Sequence, residues 1–285
     1  MKYIRPSLLM LLAVTLALNA ETPIFAQPTA PAITILSESD TEQRRGTDIF
    51  DQADMERVNR YVPADGAPFG MFAFLLRAGD ENILFDAGLG GETWVNNLEK
   101  NVKPEDVKLV LLTHLHGDHI GGLLNGNVRR FPNAKILCSV PEYEHWLPED
   151  AEPRTPQLAR IKAAYGQDFA TFKFDDEVFA NAAVKIKPLD AVGHTPGHTV
   201  FLIETAEGYR ELILGDLLHV AALQFPAPDI CSRFDMDKEQ TVAARKRILD
   251  FAAQEKIPVR GMHLPGPAGI VEKNERGGYN YRLLD

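Results

Sequence analysis

The chain has 285 residues, 45% of them hydrophobic, and a formal charge of −10 from 40 acidic and 30 basic side chains. That is enough apolar chain for one large core. An acidic balance of this size counts against a nucleic-acid substrate. Residues 1–26 read as a signal peptide with its cleavage region. Lys2 and Arg5 supply a positive start, Leu8–Leu18 is an almost unbroken apolar stretch too short for a comfortable membrane span, and cleavage is expected after Ala20 or Ala26. Residues 27–285 then form a single domain, and the expected location is periplasmic or secreted.

Asp48–Tyr61 is charged and loosely helical. Met71–Leu76 and Asn82–Phe85 read as strands joined by the turn Ala78-Gly79-Asp80-Glu81. A glycine-rich bend, Asp86–Gly91, follows, without the glycine spacing of a dinucleotide site; Thr93–Glu99 is helical. The apolar run Val107–Leu112 predicts a buried strand. It feeds directly into Thr113-His114-Leu115-His116-Gly117-Asp118-His119, three histidines and an aspartate within six residues. Imidazoles and a carboxylate suit zinc or a neighbouring first-row metal, and so many ligands in so short a loop suggest two ions.

Beyond that loop, Ile120–Leu124 opens a short helix and Ala134–Val140 is a strand holding Cys138, which reads as a buried thiol. A helix runs through Pro141–Trp146, with His145 on the surface, and Pro148–Pro156 is an exposed connection before the helix Thr155–Tyr165. Strands recur at Ala183–Pro188, Thr199–Glu204 and Glu211–Leu214, the last two joined through Ala206-Glu207-Gly208. Asp237 with Gln240 three residues later predicts a capping box on the strongest helix of the chain. Ile257–Met262 is a final buried strand, and Gly277–Leu284 adds an edge. Three further histidine- or aspartate-bearing loops adjoin these strands: Gly193-His194-Thr195-Pro196-Gly197-His198, Gly215-Asp216-Leu217-Leu218-His219 and Gly261-Met262-His263. Such loops at the ends of strands are where α/β proteins place their chemistry. Asp86, at the end of its own strand, is expected to orient a metal-bound imidazole through its second nitrogen.

Taken together, these motifs resemble the metallo-β-lactamase-fold hydrolases. The resemblance covers nearly all of the chain from Met71 onward. It implies an α/β fold, an αββα sandwich of two mixed β-sheets flanked by helices. It also implies that His114, His116 and His194 bind one divalent ion, that Asp118, His119 and His263 bind a second, and that Asp216 bridges them. Zinc is the first expectation, with cobalt, manganese or iron compatible. His198 is outside that ligand pattern and is expected to make a local hydrogen bond. Asp216, which β-lactamase branches generally lack, together with the segments around His219 and Gly277-Gly278-Tyr279, looks most like methyl parathion hydrolase and the N-acyl homoserine lactonases. Many of those lactonases carry a tyrosine where this chain has His219.

The expected activity is therefore hydrolysis of lactones and esters, with organophosphate triesters beside them. Asp118 and His219 are the expected proton-handling residues. Phe69, Met71, Trp146, Leu217 and Phe225 are the expected pocket walls. The alternatives are β-lactam hydrolysis and a non-catalytic exported metal-binding protein. The expected partner is a small-molecule substrate, with no nucleic acid and no stable membrane association once the leader is removed; monomer and homodimer are both open.

Overall fold

A computed structural model describes residues 30–284, so the expected signal peptide lies outside the described residues. The chain begins with β1 (Ala32–Ser37), β2 (Gln43–Arg45), α1 (Met55–Val58), β3 (Ala67–Phe69), β4 (Phe72–Ala78) and β5 (Glu81–Phe85). It continues with α2 (Glu92–Asn101), β6 (Val107–Leu111), α3 (Gly117–Ile120), β7 (Leu124–Asn125), β8 (Val128–Arg129) and β9 (Lys135–Ser139). Next come α4 (Val140–Trp146), α5 (Pro156–Tyr165), β10 (Phe169–Phe172), β11 (Phe179–Ala180), β12 (Val184–Asp190) and β13 (Thr199–Thr205). It closes with β14 (Arg210–Ile213), α6 (Ala221–Gln224), α7 (Lys238–Glu255), β15 (Val259–Arg260), β16 (Gly269–Lys273) and β17 (Tyr279–Leu283).

Two mixed sheets form, ordered β1-β4-β5-β6-β9-β10 and β11-β12-β13-β14-β15-β16-β17. Between β5 and β10 the first sheet is parallel, and β14–β15 is the parallel pair of the second. The apolar runs are continuous because both faces of the central strands are buried. Along β4, Phe74 and Leu76 face the second sheet and meet Phe201, Ile203 and Ile213, while Ala73 and Leu75 face outward toward Trp94 and Leu98 of α2. On the far side, α7 lays Ala244, Ile248, Leu249 and Ala252 over the outer face of the second sheet. Four layers result, helix–sheet–sheet–helix, as the resemblance implies. A separate cluster joins Ile49, Phe50 and Val58 of the N-terminal segment to Val220, Leu223 and Ile230 around α6.

Most expected elements stand where the periodicity puts them. Ile257–Met262 is shorter as a strand, because only Val259–Arg260 pairs before the chain turns into the His263 loop. The expected edge at Gly277–Leu284 is real, and β16 separates it from the rest of the sheet. At α7, Asp237 accepts from the Gln240 amide, and the Gln240 side chain donates back to the same carboxylate rather than binding a capping backbone amide. Cys138 and Cys231 are both buried and free. The glycine-rich bend before α2 is occupied from within. Glu38 accepts from the amides of Leu89, Gly90 and Gly91 at 2.6, 3.1 and 3.3 Å, and burial raises its pKa.

Candidate metal centre

All seven expected ligands converge at one end of the two sheets. His114, His116, Asp118 and His119 follow β6, His194 precedes β13, Asp216 follows β14, and His263 follows β15. They form two overlapping groups, His114–His116–His194–Asp216 and Asp118–His119–Asp216–His263, in each of which the donor atoms lie within 4.8 Å of one another. Asp216 belongs to both. Its carboxylate lies 3.2 Å from His119 Nε2, 3.1 Å from His263 Nε2, 3.5 Å from His194 Nε2 and 3.8 Å from His114 Nε2.

Close backbone approach makes this convergence geometrically feasible. Gly215 has φ +57°, and a Cβ there would stand 2.6 Å from His198 Nε2. Gly122 lies against the bend after β5, where a Cβ would meet the Ala87 carbonyl at 2.1 Å. Only glycine fits either position.

Four of the ligands, His119, His194, Asp216 and His263, are held by a second contact. Asp86, fully buried with φ 60°, accepts from Thr113 twice at 2.7 Å and receives His119 Nδ1–H at 2.5 Å. His263 Nδ1–H donates to the Gly70 carbonyl at 3.0 Å. His198 donates Nδ1–H to the Ala191 carbonyl and accepts the Asp216 amide on Nε2 at 2.9 Å, which fixes its neutral tautomer and places Asp216. Burial pushes its pKa down to about 3.

Two holders were not expected. Asp235 receives His194 Nδ1–H at 2.9 Å and is itself anchored by the Ser232 amide and by Arg245 at 3.6 Å. Burial would raise its pKa, but His194 and Arg245 outweigh it and hold the carboxyl below its usual range. Glu142, buried on α4, accepts from the Leu115 amide at 2.9 Å with one oxygen. Its other oxygen accepts from the Thr195 hydroxyl at 2.7 Å and the Gly197 amide at 2.9 Å. It thereby ties the first ligand loop to the second. No local pattern in Ser232-Arg233-Phe234-Asp235 or Glu142-Tyr143 marks either carboxylate; only the fold brings them to the ligands.

The donor set fits a pair of divalent ions. His114 Nε2, His119 Nε2 and one Asp216 oxygen are buried without a hydrogen-bond partner, a costly state for polar atoms that metal coordination removes. Burial lowers the pKa of His116 to about 3 and drives His114 well below 6.5, leaving neutral imidazoles with free lone pairs. For Asp216, burial works against ionisation, yet His119 and His263 keep it well below the ordinary carboxylate range.

A cavity of about 260 Å³ opens onto this cluster, lined by His116, Asp118, Asp216, His219 and His263 with Arg45, Ile49, Phe69 and Phe234. Phe69 stacks on His263 at 4.9 Å, as a pocket wall should. Trp146 presents an edge to His116 at 5.5 Å but is not among the lining residues. With Trp146, four of the five expected wall residues need correction. Leu217 is buried in the core under α7, Phe225 is stacked on Tyr281 at 4.4 Å in the same core, and Met71 is half-buried off the cavity. Leu217 and Phe225 are taken up by the core, where packing against other apolar side chains removes their surface from water. Arg45, Ile49 and Phe234 line the cavity instead, from segments with no sequence signal. His219 lines it too, with Nε2 3.4 Å from Asp216, Nδ1 buried without a partner, and its ring stacked on His263 at 5.3 Å. His145 lies outside the cluster, as expected.

A family model described as the Metallo-beta-lactamase superfamily matches residues 67–258. Among solved structures, hydrolase AbOPH of the beta lactamase superfamily superposes with a TM-score of 0.75 at 27% identity, covering 89% of this chain and 94% of that one. AidC, a dizinc quorum-quenching lactonase, has the same TM-score and coverage at 23% identity, which bears on fold alone. Among curated sequences, the atrochrysone carboxyl ACP thioesterase of Aspergillus chevalieri is 31% identical over 52% of this chain and 42% of its own length. The hydroxyacylglutathione hydrolase of Prochlorococcus marinus (strain NATL1A) is 32% identical over 48% of this chain and 45% of its own. The chain thus spans less than half the length of these curated relatives.

Proposed function

The chain belongs to the metallo-beta-lactamase superfamily, and from that premise we propose a metal-dependent hydrolase, an exported enzyme that opens lactones and cleaves esters. N-acyl homoserine lactones are the leading substrate class and organophosphate triesters a second; zinc is the metal proposed first. One observation carries the reading. Every ligand of two overlapping sites is present around a shared Asp216, and those sites face a cavity walled by Phe69, Ile49 and Phe234 that suits an acyl chain or a phenyl ring.

His114, His116 and His194 with Asp216 would hold one ion, and Asp118, His119 and His263 with Asp216 the other. Such a pair supplies Lewis acidity and a nucleophile drawn from water near neutral pH. The protein supplies the rest. Asp86, Asp235 and the Gly70 carbonyl fix the ring orientations of His119, His194 and His263. Asp118 keeps 28% of its side chain exposed and faces the cavity, so it is the carboxylate placed to carry a proton from the attacking water to the leaving group. His219 stands at the same wall and is placed to donate to the departing oxygen. Phe69 covers His263 and excludes water from that side.

Two readings compete. A β-lactam hydrolase would share the fold, and the bridging Asp216 weighs against it. A non-catalytic metal-binding protein would tolerate loss of a ligand, and none is lost. A hydrolysis panel on metal-loaded protein separates them: an acyl homoserine lactone, an aryl ester, an organophosphate triester and a cephalosporin. Turnover of the lactone and ester is expected. Turnover of the cephalosporin alone, or of nothing at full metal occupancy, would overturn the reading.

A further inference from the structure

Arg44 and Arg45 are chain neighbours on β2 with opposite fates. Arg44 points outward and is saturated, with Glu42 at 3.1 Å, Asp65 at 3.4 Å and the Gly66 carbonyl at 2.6 Å. Arg45 points to the cavity over the metal ligands and has no ion pair or side-chain hydrogen bond among the described residues; its Nε is buried without a partner. That is unusual in a chain with 40 acidic residues. A guanidinium is weakly hydrated, yet a buried donor left unpaired still carries a desolvation cost.

Its geometry is that of a fork held ready. The guanidinium lies over the Phe69 ring at 4.4 Å, and Phe69 in turn stacks on His263 at 4.9 Å. Stacking occupies the cation's face and leaves its edge, where paired N–H groups match a carboxylate. The remaining walls away from the ligands are Ile49 and Phe234, which offer an anion nothing. One cation suits a monoanion better than a phosphate dianion.

We propose that Arg45 is a specificity residue that binds a carboxylate carried by the substrate away from its scissile carbonyl, so that the preferred substrates are anionic esters or lactones with an apolar spacer. The inference rests on the hydrolase reading above, and within it sets anionic esters and lactones ahead of the neutral acyl homoserine lactones and triesters, which carry no carboxylate for Arg45 to hold. Arg45 acts on binding, so its effect belongs in KM rather than kcat.

The test uses metal-loaded protein and two matched probes, adipate and its monoamide. Each offers one carboxylate to the metals, and they differ only in whether the far end is charged. By titration calorimetry, wild type is expected to bind adipate at least about tenfold more tightly, the scale of a charge-assisted pair. Arg45→Gln brings the ratio close to one, and Arg45→Lys, which keeps charge without the fork, retains part of it. The mono-4-nitrophenyl ester of adipic acid and the corresponding ester of the monoamide should show the same ratio in KM. A wild-type ratio near one, or an Arg45→Gln variant that weakens both probes equally, would overturn the proposal and leave Arg45 as packing on Phe69. If the binding ratio holds and no ester or lactone is turned over, the hydrolase reading fails and Arg45 stands. If esters are turned over without a ratio, the reverse follows.

Discussion

Asp216 is the residue on which both proposed ion sites would depend, because it is common to the two ligand groups. Asp216→Asn should therefore abolish turnover of every substrate together and lower metal content, measured by the hydrolysis panel beside elemental analysis. Loss of one substrate class with another kept at full rate would contradict a shared centre. His219 differs, since it adjoins Asp216 at 3.4 Å without belonging to either ligand group. His219→Ala should keep the metals and lower kcat by ~10²–10⁴-fold for an alkyl lactone, whose leaving alkoxide needs a proton. For a nitrophenyl ester the loss should be smaller, because that leaving anion is already stable. Equal losses on both substrates would make His219 structural. At this scale the four candidate ligands of the first loop were legible from spacing, since three histidines and an aspartate share it, whereas the roles of His194, Asp216 and His263 came from the resemblance. Asp235 and Arg45 were not, because each acts across a distance in sequence that no local pattern records: Asp235 reaches His194 over 41 residues.

Helix α4 carries chemistry that its sequence reads as ordinary amphipathic helix. Ser139 caps it, accepting from the Glu142 amide and donating its hydroxyl to the Gly197 carbonyl, and Glu142 bonds both ligand loops from the first turn. Burial raises the Glu142 pKa, and three donors aimed at its oxygens work against that rise. Glu142→Gln turns one acceptor into a donor facing N–H or O–H groups, at about 1–3 kcal/mol for a buried mismatch. The expected outcome is a lower Tm together with weaker retention of the metal held by His114, His116 and His194, read by thermal melts and chelator competition. An unchanged chelator titration would confine Glu142 to stability. The strands themselves were visible as short apolar runs, and β15 was overestimated because the apolar residues after Arg260 serve a ligand loop rather than a ladder. Short strands such as β2, β3 and β11 were invisible, since three residues or fewer carry no period, and β2 is the one that delivers Arg45.

Across the whole molecule, the layered class followed from the motifs, while the order of strands in each sheet did not, because β1 pairs β4 and β14 pairs β15 through contacts that lie far apart in the chain. That packing predicts that stability and metal occupancy are coupled. Four ligand histidines and Asp216 are buried at the junction of the two sheets, so removing the ions leaves polar atoms there without partners. Elemental analysis under chelator-free conditions should find two divalent ions per chain, and stripping them should lower Tm, since ions that bind only the folded state stabilise it. The pH dependence has a defined sign. With ions bound, the ligating imidazoles stay deprotonated, and His198 is held neutral with a folded pKa of about 3 against 6.5 for the free side chain. Below pH 6.5 the unfolded chain therefore binds more protons than the folded one, and stability falls as pH falls. The loss should begin near pH 6.5 and deepen toward pH 3, with metal release in step. His198→Asn, which keeps an amide to bond Ala191 or Asp216 but removes the titrating ring, should give a shallower slope of Tm against pH across that window. A holoenzyme whose Tm and metal content stayed flat from pH 7 to pH 4 would show that the buried imidazoles are not what couples this fold to its ions.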